Sequence, residues 1–197
     1  MKPRVAVLCS GRGSNMAALI RAAQAPFYPA EVALVLSDKA DAPALALAAS
    51  LGVAANAIPA KAFARDRAAH EQAIDAALRA QAIDIVCLAG YMRLLTPYLV
   101  GRWAGRMLNI HPSLLPAYPG LDTHARVLAD GGKAHGCTVH LVTEGMDEGP
   151  IMAQAEVPVL AGDTEDALAA RVLAQEHLLY PSALATLARR ITPSSVA

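Results

Sequence analysis

The sequence predicts an α/β fold in three layers: a mostly parallel, twisted sheet of about seven strands with helices on both faces and a Rossmann-like N-terminal half. Three observations predict it. Short runs rich in Val, Ile and Leu alternate with alanine-rich stretches of helical spacing. The first run empties into a glycine-bearing turn, SGRGSN (10–15), and then a helix. After residue 113 the alternation stops, and two adjacent strand-like runs precede a long terminal helix.

The elements follow in order. RVAVLCS (4–10) reads as the first strand and NMAALIRAAQ (15–24) as the first helix. EVALVLSD (31–38) and VAANAIP (53–59) are strands separated by a helix over 42–52. A long amphipathic helix over 63–81 leads to IDIVCLAG (83–90), a fourth strand. A short helix over 92–103 precedes MLNIHPS (107–113). HARVLADGG (124–132) reads as a short helix, and GCTVHLVTE (136–144) and IMAQAEVPV (151–159) as strands joined by a turn. Residues 163–190 read as helix, capped by Asp163 or Thr164, with Pro181 expected to bend or restart it. Length predicts one domain over 1–190, made of halves 1–105 and 106–190, and a frayed tail over 191–197.

Composition narrows the function. Of 197 residues, 55% are hydrophobic and 17% charged, a balance that favours a packed core over disorder. The formal net charge of +0 argues against a general nucleic-acid binder. MKPRVAVLCSGRGSN offers too short an apolar run for a signal peptide, and no run is long enough to span a bilayer. These features predict a cytoplasmic protein, monomer or homodimer, with no membrane and no nucleic-acid partner. Cys9, Cys87 and Cys137 form no CxxC pair and read as buried structural thiols.

The SGRGSN turn has the chemistry of an anion cradle. Helix N-termini present free N–H groups and partial positive charge, and glycines let an anion approach the backbone. The dinucleotide fingerprint fails because Met16 stands where its third glycine belongs, although Asp38 sits where a ribose-binding acid would. The Walker lysine is absent. A plain strand–helix turn capped by Ser14 is the alternative reading.

LNIHPSLLPAYPG (108–120) is the second signal. Asn109 and His111 have the strand period of two, so they share a face, and Pro112, Pro116 and Pro119 then stop the strand. Ligands of open parallel sheets bind beyond the strands' carboxyl ends. TEGMDEGP (143–150) adds three carboxylates on a glycine-bearing loop. An amide, an imidazole and a carboxylate together can stabilise an oxyanion. No GxSxG elbow and no suitably placed Cys supplies a covalent nucleophile, so direct attack by a substrate fits better. A hydrogen-bonded structural histidine is the alternative. A metal set of His111, His135, His140 and Asp147 is disfavoured, because His135 and His140 lie five apart and face opposite sides of a regular strand.

GSN (13–15), AGYMRLL (89–95), LNIHPSLLPAYPG (108–120), HGCTVHLVTEGMDEGPI (135–151) and QEHLLYP (175–181) together resemble the glycinamide ribonucleotide formyltransferases, a folate-dependent family, over nearly the whole chain. The resemblance implies formyl transfer from 10-formyltetrahydrofolate, a cosubstrate, to the amine of 5-phosphoribosylglycinamide, with no metal and no tightly bound cofactor. It implies catalytic roles for Asn109, His111 and Asp147, and contacts to substrate phosphate and ribose from Gly13, Ser14, Asn15 and Glu176. The first half would then bind phosphate and the second would hold folate and the catalytic groups. Folate contacts are implied for Met92, Arg93, Leu94, Leu95, Asn109 and Thr143, and for Arg67, or failing that Arg65, at the glutamate tail. A cis bond is implied at Leu115–Pro116. The rival readings are a formyltransferase or hydrolase using another amine or water, and a nicotinamide-binding oxidoreductase.

Overall fold

The computed structural model describes residues 1–64 and 66–191. Seven strands are present among them: β1 (Arg4–Cys9), β2 (Glu31–Ser37), β3 (Ala54–Ala57), β4 (Ile85–Leu88), β5 (Met107–His111), β6 (Ala134–Leu141) and β7 (Ile151–Pro158). They form one sheet in the order β3-β2-β1-β4-β5-β6-β7. The first five run parallel, and β6 and β7 are antiparallel. The helices are α1 (Ser14–Ala23), α2 (Pro43–Ser50), α3 (Arg67–Ala80), α4 (Pro97–Arg102), α5 (Thr123–Ala129) and α6 (Glu165–Ile191), with a 3₁₀ turn at Ala60–Phe63.

Strand parity sorts the core. In β1, Val5, Val7 and Cys9 point to the face covered by α1, α2 and α6, while Ala6 and Leu8 point to the face covered by α3 and α4. The same alternation continues in β4 and β5. Strands apolar on both faces are what a parallel sheet between helical layers requires. At β5 the second face changes character. Met107 joins the α3/α4 core, but Asn109 and His111, on the same side, belong to no apolar cluster. Their cross-strand partners in β6 are His140 and Thr138. Loops cover this polar patch in place of a helix.

Three expectations need correction. The helix expected over 92–103 begins at Pro97, because proline is favoured at the first helical position and the residue before it is held extended. Ser14 does not cap α1. Gly13 holds the cap position at φ 81 with no side-chain bond, and a Cβ there would come within 2.7 Å of Ala44 Cβ and Met16 Cε. Pro181 does not restart the last helix, since α6 is continuous through it. Thr164, not Asp163, caps α6, its Oγ1 accepting from the Ala167 N–H at 3.2 Å. Residues 192–197 of the expected tail lie outside the described residues.

Tyr180 fixes α6 against the sheet. It is fully buried, and its hydroxyl lies 2.9 Å from the carbonyl oxygen of Leu88 in β4 and 3.1 Å from that of Leu108 in β5. One hydroxyl proton serves both carbonyls in turn, tying the helix to two adjacent strands. Tyr180→Phe is expected to destabilise the fold by about 1–3 kcal/mol, the cost of leaving a buried acceptor unpaired, measured by urea denaturation.

Candidate active site

His111 closes β5, and its ring is 6% exposed. Its Nε2 lies 2.9 Å from the Tyr118 carbonyl, so that nitrogen carries a proton and donates. Its Nδ1 faces Asp147 Oδ2 at 3.4 Å, an ion-pair contact longer than a tight hydrogen bond. The other carboxylate oxygen, Oδ1, lies 3.6 Å from His140 Nε2. Asp147 thus stands between two imidazoles. Asn109 completes the group, its Nδ2 lying 3.2 Å from His140 Nε2. His140 Nδ1 donates to the Leu141 carbonyl at 3.0 Å. Its Nε2 therefore has two roles: neutral, it accepts from Asn109, and charged, it donates to Asp147.

The loop between β6 and β7 brings Asp147 into place. Asp147 adopts φ 57, a left-handed conformation that Asp tolerates better than most residues. Its Oδ2 also accepts from the Gly120 N–H at 2.9 Å, which joins this loop to the one after β5. Burial pushes the carboxyl pKa up, but the hydrogen bonds from His140 and Gly120 and the charges of His111 and His140 outweigh it. The net direction is downward from the usual 3.8, so Asp147 remains an anion. Gly149 lets the loop pass: a Cβ there would lie 1.6 Å from the Leu141 carbonyl oxygen. A groove of about 360 Å³ opens between Leu115, Pro116 and Pro119 on one side and Met146–Gly149 with Ile151 on the other, with Asp147 in its wall. The Leu115–Pro116 bond is cis.

Two strands from β5, the end of β1 enters the Gly13 turn, and α1 begins there. Asn15, in the first turn of α1, donates through Nδ2 to Glu176 Oε2 of α6 at 2.6 Å. Asn15 Oδ1 is buried and has no hydrogen-bond partner among the described residues. An orphaned acceptor beside a buried carboxylate, at a helix N-terminus, is suited to a ligand with hydroxyls next to an anion. Glu176 is 6% exposed, and burial raises its carboxyl pKa against the lowering effect of Asn15.

Comparison with known proteins decides the family. Residues 3–184 match the formyl transferase family model. The chain belongs to the formyl transferase family. It is 48% identical over 177 residues to the phosphoribosylglycinamide formyltransferase of Escherichia coli (strain K12), which covers 90% of this chain and 83% of that protein. The crystal structure of phosphoribosylglycinamide formyltransferase from Brucella melitensis superimposes with a TM-score of 0.92 at 57% identity, over 99% of this chain and 100% of that one. Glycinamide ribonucleotide transformylase 1 from Symbiobacterium toebii gives a TM-score of 0.93 at 46% identity, over 96% and 89% of the two chains.

In this formyl transferase the remaining expected residues divide into two groups. The segment Met92–Leu95 is irregular and lies beside β1 and α3. The Met92 N–H donates to Ser10 Oγ at 2.9 Å, and Arg67 donates through Nη2 to the Leu94 carbonyl. Met92 and Leu94 are exposed, Arg93 and Leu95 partly buried. Arg67 therefore borders the segment, while Arg65 lies outside the described residues. Thr143 is exposed at the start of the Asp147 loop.

His140 is the site residue that sequence reasoning placed only among metal candidates. Its signal is the β5–β6 register, which sets it opposite Asn109, and register is not readable from spacing alone. The metal candidates separate: His135 Nε2 lies 3.0 Å from His124 Nδ1, and among the described residues neither of these rings pairs with Asp147. Among the described residues no three His, Cys, Asp or Glu side chains are arranged to hold a metal ion. Cys9, Cys87 and Cys137 are free and buried, and burial pushes their thiols up to about 11, 12 and 12. They remain thiols, not nucleophiles.

Two outcomes are expected. Glu176 has a folded pKa raised above 4.5, so it stabilises the fold below that value relative to neutral pH, and the contribution is lost as pH rises through the folded pKa. In urea denaturation, Glu176→Gln should therefore gain on the parent protein between pH 4.5 and pH 7. Gly149→Ala should displace the loop, because the Leu141 carbonyl leaves no room for the new Cβ, and cost about 2 kcal/mol or more of stability.

Proposed function

We propose that the chain transfers the formyl group of 10-formyltetrahydrofolate to the amine of 5-phosphoribosylglycinamide, a step of purine biosynthesis. The observation that carries this reading is the meeting of His111, Asp147, His140 and Asn109 around one polar patch at the end of β5. The names of the relatives, phosphoribosylglycinamide formyltransferase among them, support it.

The two halves divide the work. The Gly13–Asn15 turn offers its amides to the phosphate, and Glu176 with Asn15 takes the ribose hydroxyls. Parallel strands lie about 4.8 Å apart, so β1 and β5 are separated by about 10 Å, a span that a phosphoribosyl unit with a glycinamide arm bridges. The amine then reaches the polar patch. The folate lies against Met92–Leu95, whose backbone edges suit the polar rim of a pterin and whose exposed Met92 and Leu94 suit its flat apolar faces. Thr143 and the Asp147 loop border the same ring.

In the reaction, the amine lone pair forms a bond to the formyl carbon, and the carbonyl electron pair moves onto oxygen. Asn109 donates its amide hydrogen to that oxyanion. His111, charged and protonated at Nδ1, donates to it from the other side. The long Nδ1–Oδ2 contact of 3.4 Å lets a substrate oxygen compete for that proton. Asp147, held anionic, orients the imidazole through the Nδ1 contact. The tetrahedral intermediate then collapses: the bond from carbon to N10 breaks, the surplus amine proton passes to N10 through the His111–Asp147 group, and tetrahydrofolate leaves. Holding both substrates together supplies about 7–11 kcal/mol of the barrier reduction.

His111→Ala and Asp147→Asn should each lower kcat about 10²–10³-fold, the usual loss with an oxyanion donor or its support, with far-UV circular dichroism unchanged. The assay follows tetrahydrofolate release with and without phosphoribosylglycinamide. Release that ignores the acceptor would identify a hydrolase and sink the transferase reading.

A further inference from the structure

Helix α3 holds a buried carboxylate that the reaction does not use. Glu71 is 3% exposed, and both its oxygens go to one residue. Oε1 accepts from the Thr96 N–H at 2.7 Å, and Oε2 accepts from the Thr96 hydroxyl. Thr96 occupies the N-cap position of α4, where a threonine hydroxyl ordinarily bonds a free amide of the helix. Here it makes no such cap bond. It turns to Glu71 instead. Two local costs are thus accepted together, a carboxylate taken out of water and a helix left without its side-chain cap.

The result is a clamp on the irregular segment between β4 and α4. One backbone group at each alternate residue is tied to a side chain outside the segment: the Met92 N–H to Ser10 Oγ, the Leu94 carbonyl to Arg67, and the Thr96 N–H to Glu71. Arg67 and Glu71 are one helical turn apart on α3, so one rigid element supplies two of the three ties. Arg67 is exposed at the helix start, whereas Glu71 is buried and doubly bonded. A charge-assisted pair of hydrogen bonds is the stronger restraint.

We propose that Glu71 is a positioning residue for the formyl donor. By fixing Thr96 it sets the backbone path of Met92–Leu95 and so the affinity for folate, without touching the substrates or the reacting atoms. This rests on the reading that Met92–Leu95 lines the folate site. Loss of the clamp lets the segment sample other paths, and the folate must then order it on binding. The ribonucleotide, held by the Gly13 turn and Glu176, is unaffected.

The test uses Glu71→Gln and Thr96→Val, with 5-formyltetrahydrofolate as an unreactive folate probe in titration calorimetry and phosphoribosylglycinamide titrated separately. Glu71→Gln is expected to weaken folate binding about fivefold or more, the effect of losing a charged hydrogen bond to a loop. The KM for 10-formyltetrahydrofolate should rise by the same factor, while kcat and ribonucleotide affinity stay within about twofold of the parent. Thr96→Val should move folate affinity the same way, and the double variant should be less than additive, because both changes remove one interaction. Should Glu71→Gln fail to give a folded far-UV spectrum, Thr96→Val carries the measurement alone. Unchanged folate affinity in the folded variants, or an equal loss for both substrates, overturns the proposal. A parent protein that binds no 5-formyltetrahydrofolate overturns the folate reading itself, and this proposal with it.

Discussion

The carboxylate of Asp147 is the constraint on which the site's geometry depends. Its two oxygens meet three different chain segments: the imidazole ending β5, the imidazole near the end of β6, and the amide of Gly120 in the loop after β5. Two of these groups, His111 and Gly120, lie more than twenty residues before Asp147 in sequence. A carboxylate only 10% exposed is costly to keep charged unless donors surround it, and here its partners are a backbone N–H and two imidazoles. Those donors lower its pKa in spite of burial. The same anion therefore organises the two loops and the two rings around it.

The sheet explains why such a group can form at the end of β5. Over β1, β2 and β4, the α3/α4 face is filled by apolar side chains such as Leu8, Leu36 and Leu88. Among the described residues no helix continues that layer beyond Met107. A parallel strand must be followed by a long crossover, commonly a helix that covers the sheet, whereas the antiparallel β6 and β7 are joined by a loop. The change of direction after β5 thus exposes one face of two strands, and polar residues can occupy it without displacing a core. On the opposite face the apolar packing runs on unbroken through Leu108, Ile110 and Val139 to α6. The fold keeps its stability on one side of β5 and its chemistry on the other.

How far the sequence foretold this follows from the same physics. Short apolar runs located the seven strands found among the described residues, because parallel strands are buried on both faces, and side chains along each strand alternate between those faces every two residues. The shared face of Asn109 and His111 was readable for that reason. The ends of elements were less so. Pro97 at the start of α4 and the left-handed Gly13 at the start of α1 moved both boundaries, since local capping and close packing against Ala44 decide them. His140 escaped because its role comes from the β5–β6 register, which leaves no mark in residue spacing. The bond from Arg67 to Leu94 and the pairing of Asn15 with Glu176, 161 residues apart in sequence, are tertiary contacts that no local pattern encodes.

Backbone strain is concentrated where the chemistry is. Among the described residues five that are not glycine adopt left-handed φ angles: Ala64, Ala82, Tyr118, Asp122 and Asp147. The last three lie in the two loops that cover the polar patch. Tyr118 offers its carbonyl to His111, and Asp147 is itself the central anion. Left-handed residues of this kind cost roughly 1 kcal/mol or more each and persist only where their surroundings over-determine them. The surroundings here are Gly120 bonded to Asp147, Thr123 to the Pro112 carbonyl, and Thr138 to both the Ser113 carbonyl and the Leu115 amide. Relaxing any one loop would free its backbone but release a donor from Asp147 or an acceptor from His111. The strained conformations and the imidazole–carboxylate contacts therefore stand or fall together, which is how two loops without regular structure hold side chains as firmly as a strand does.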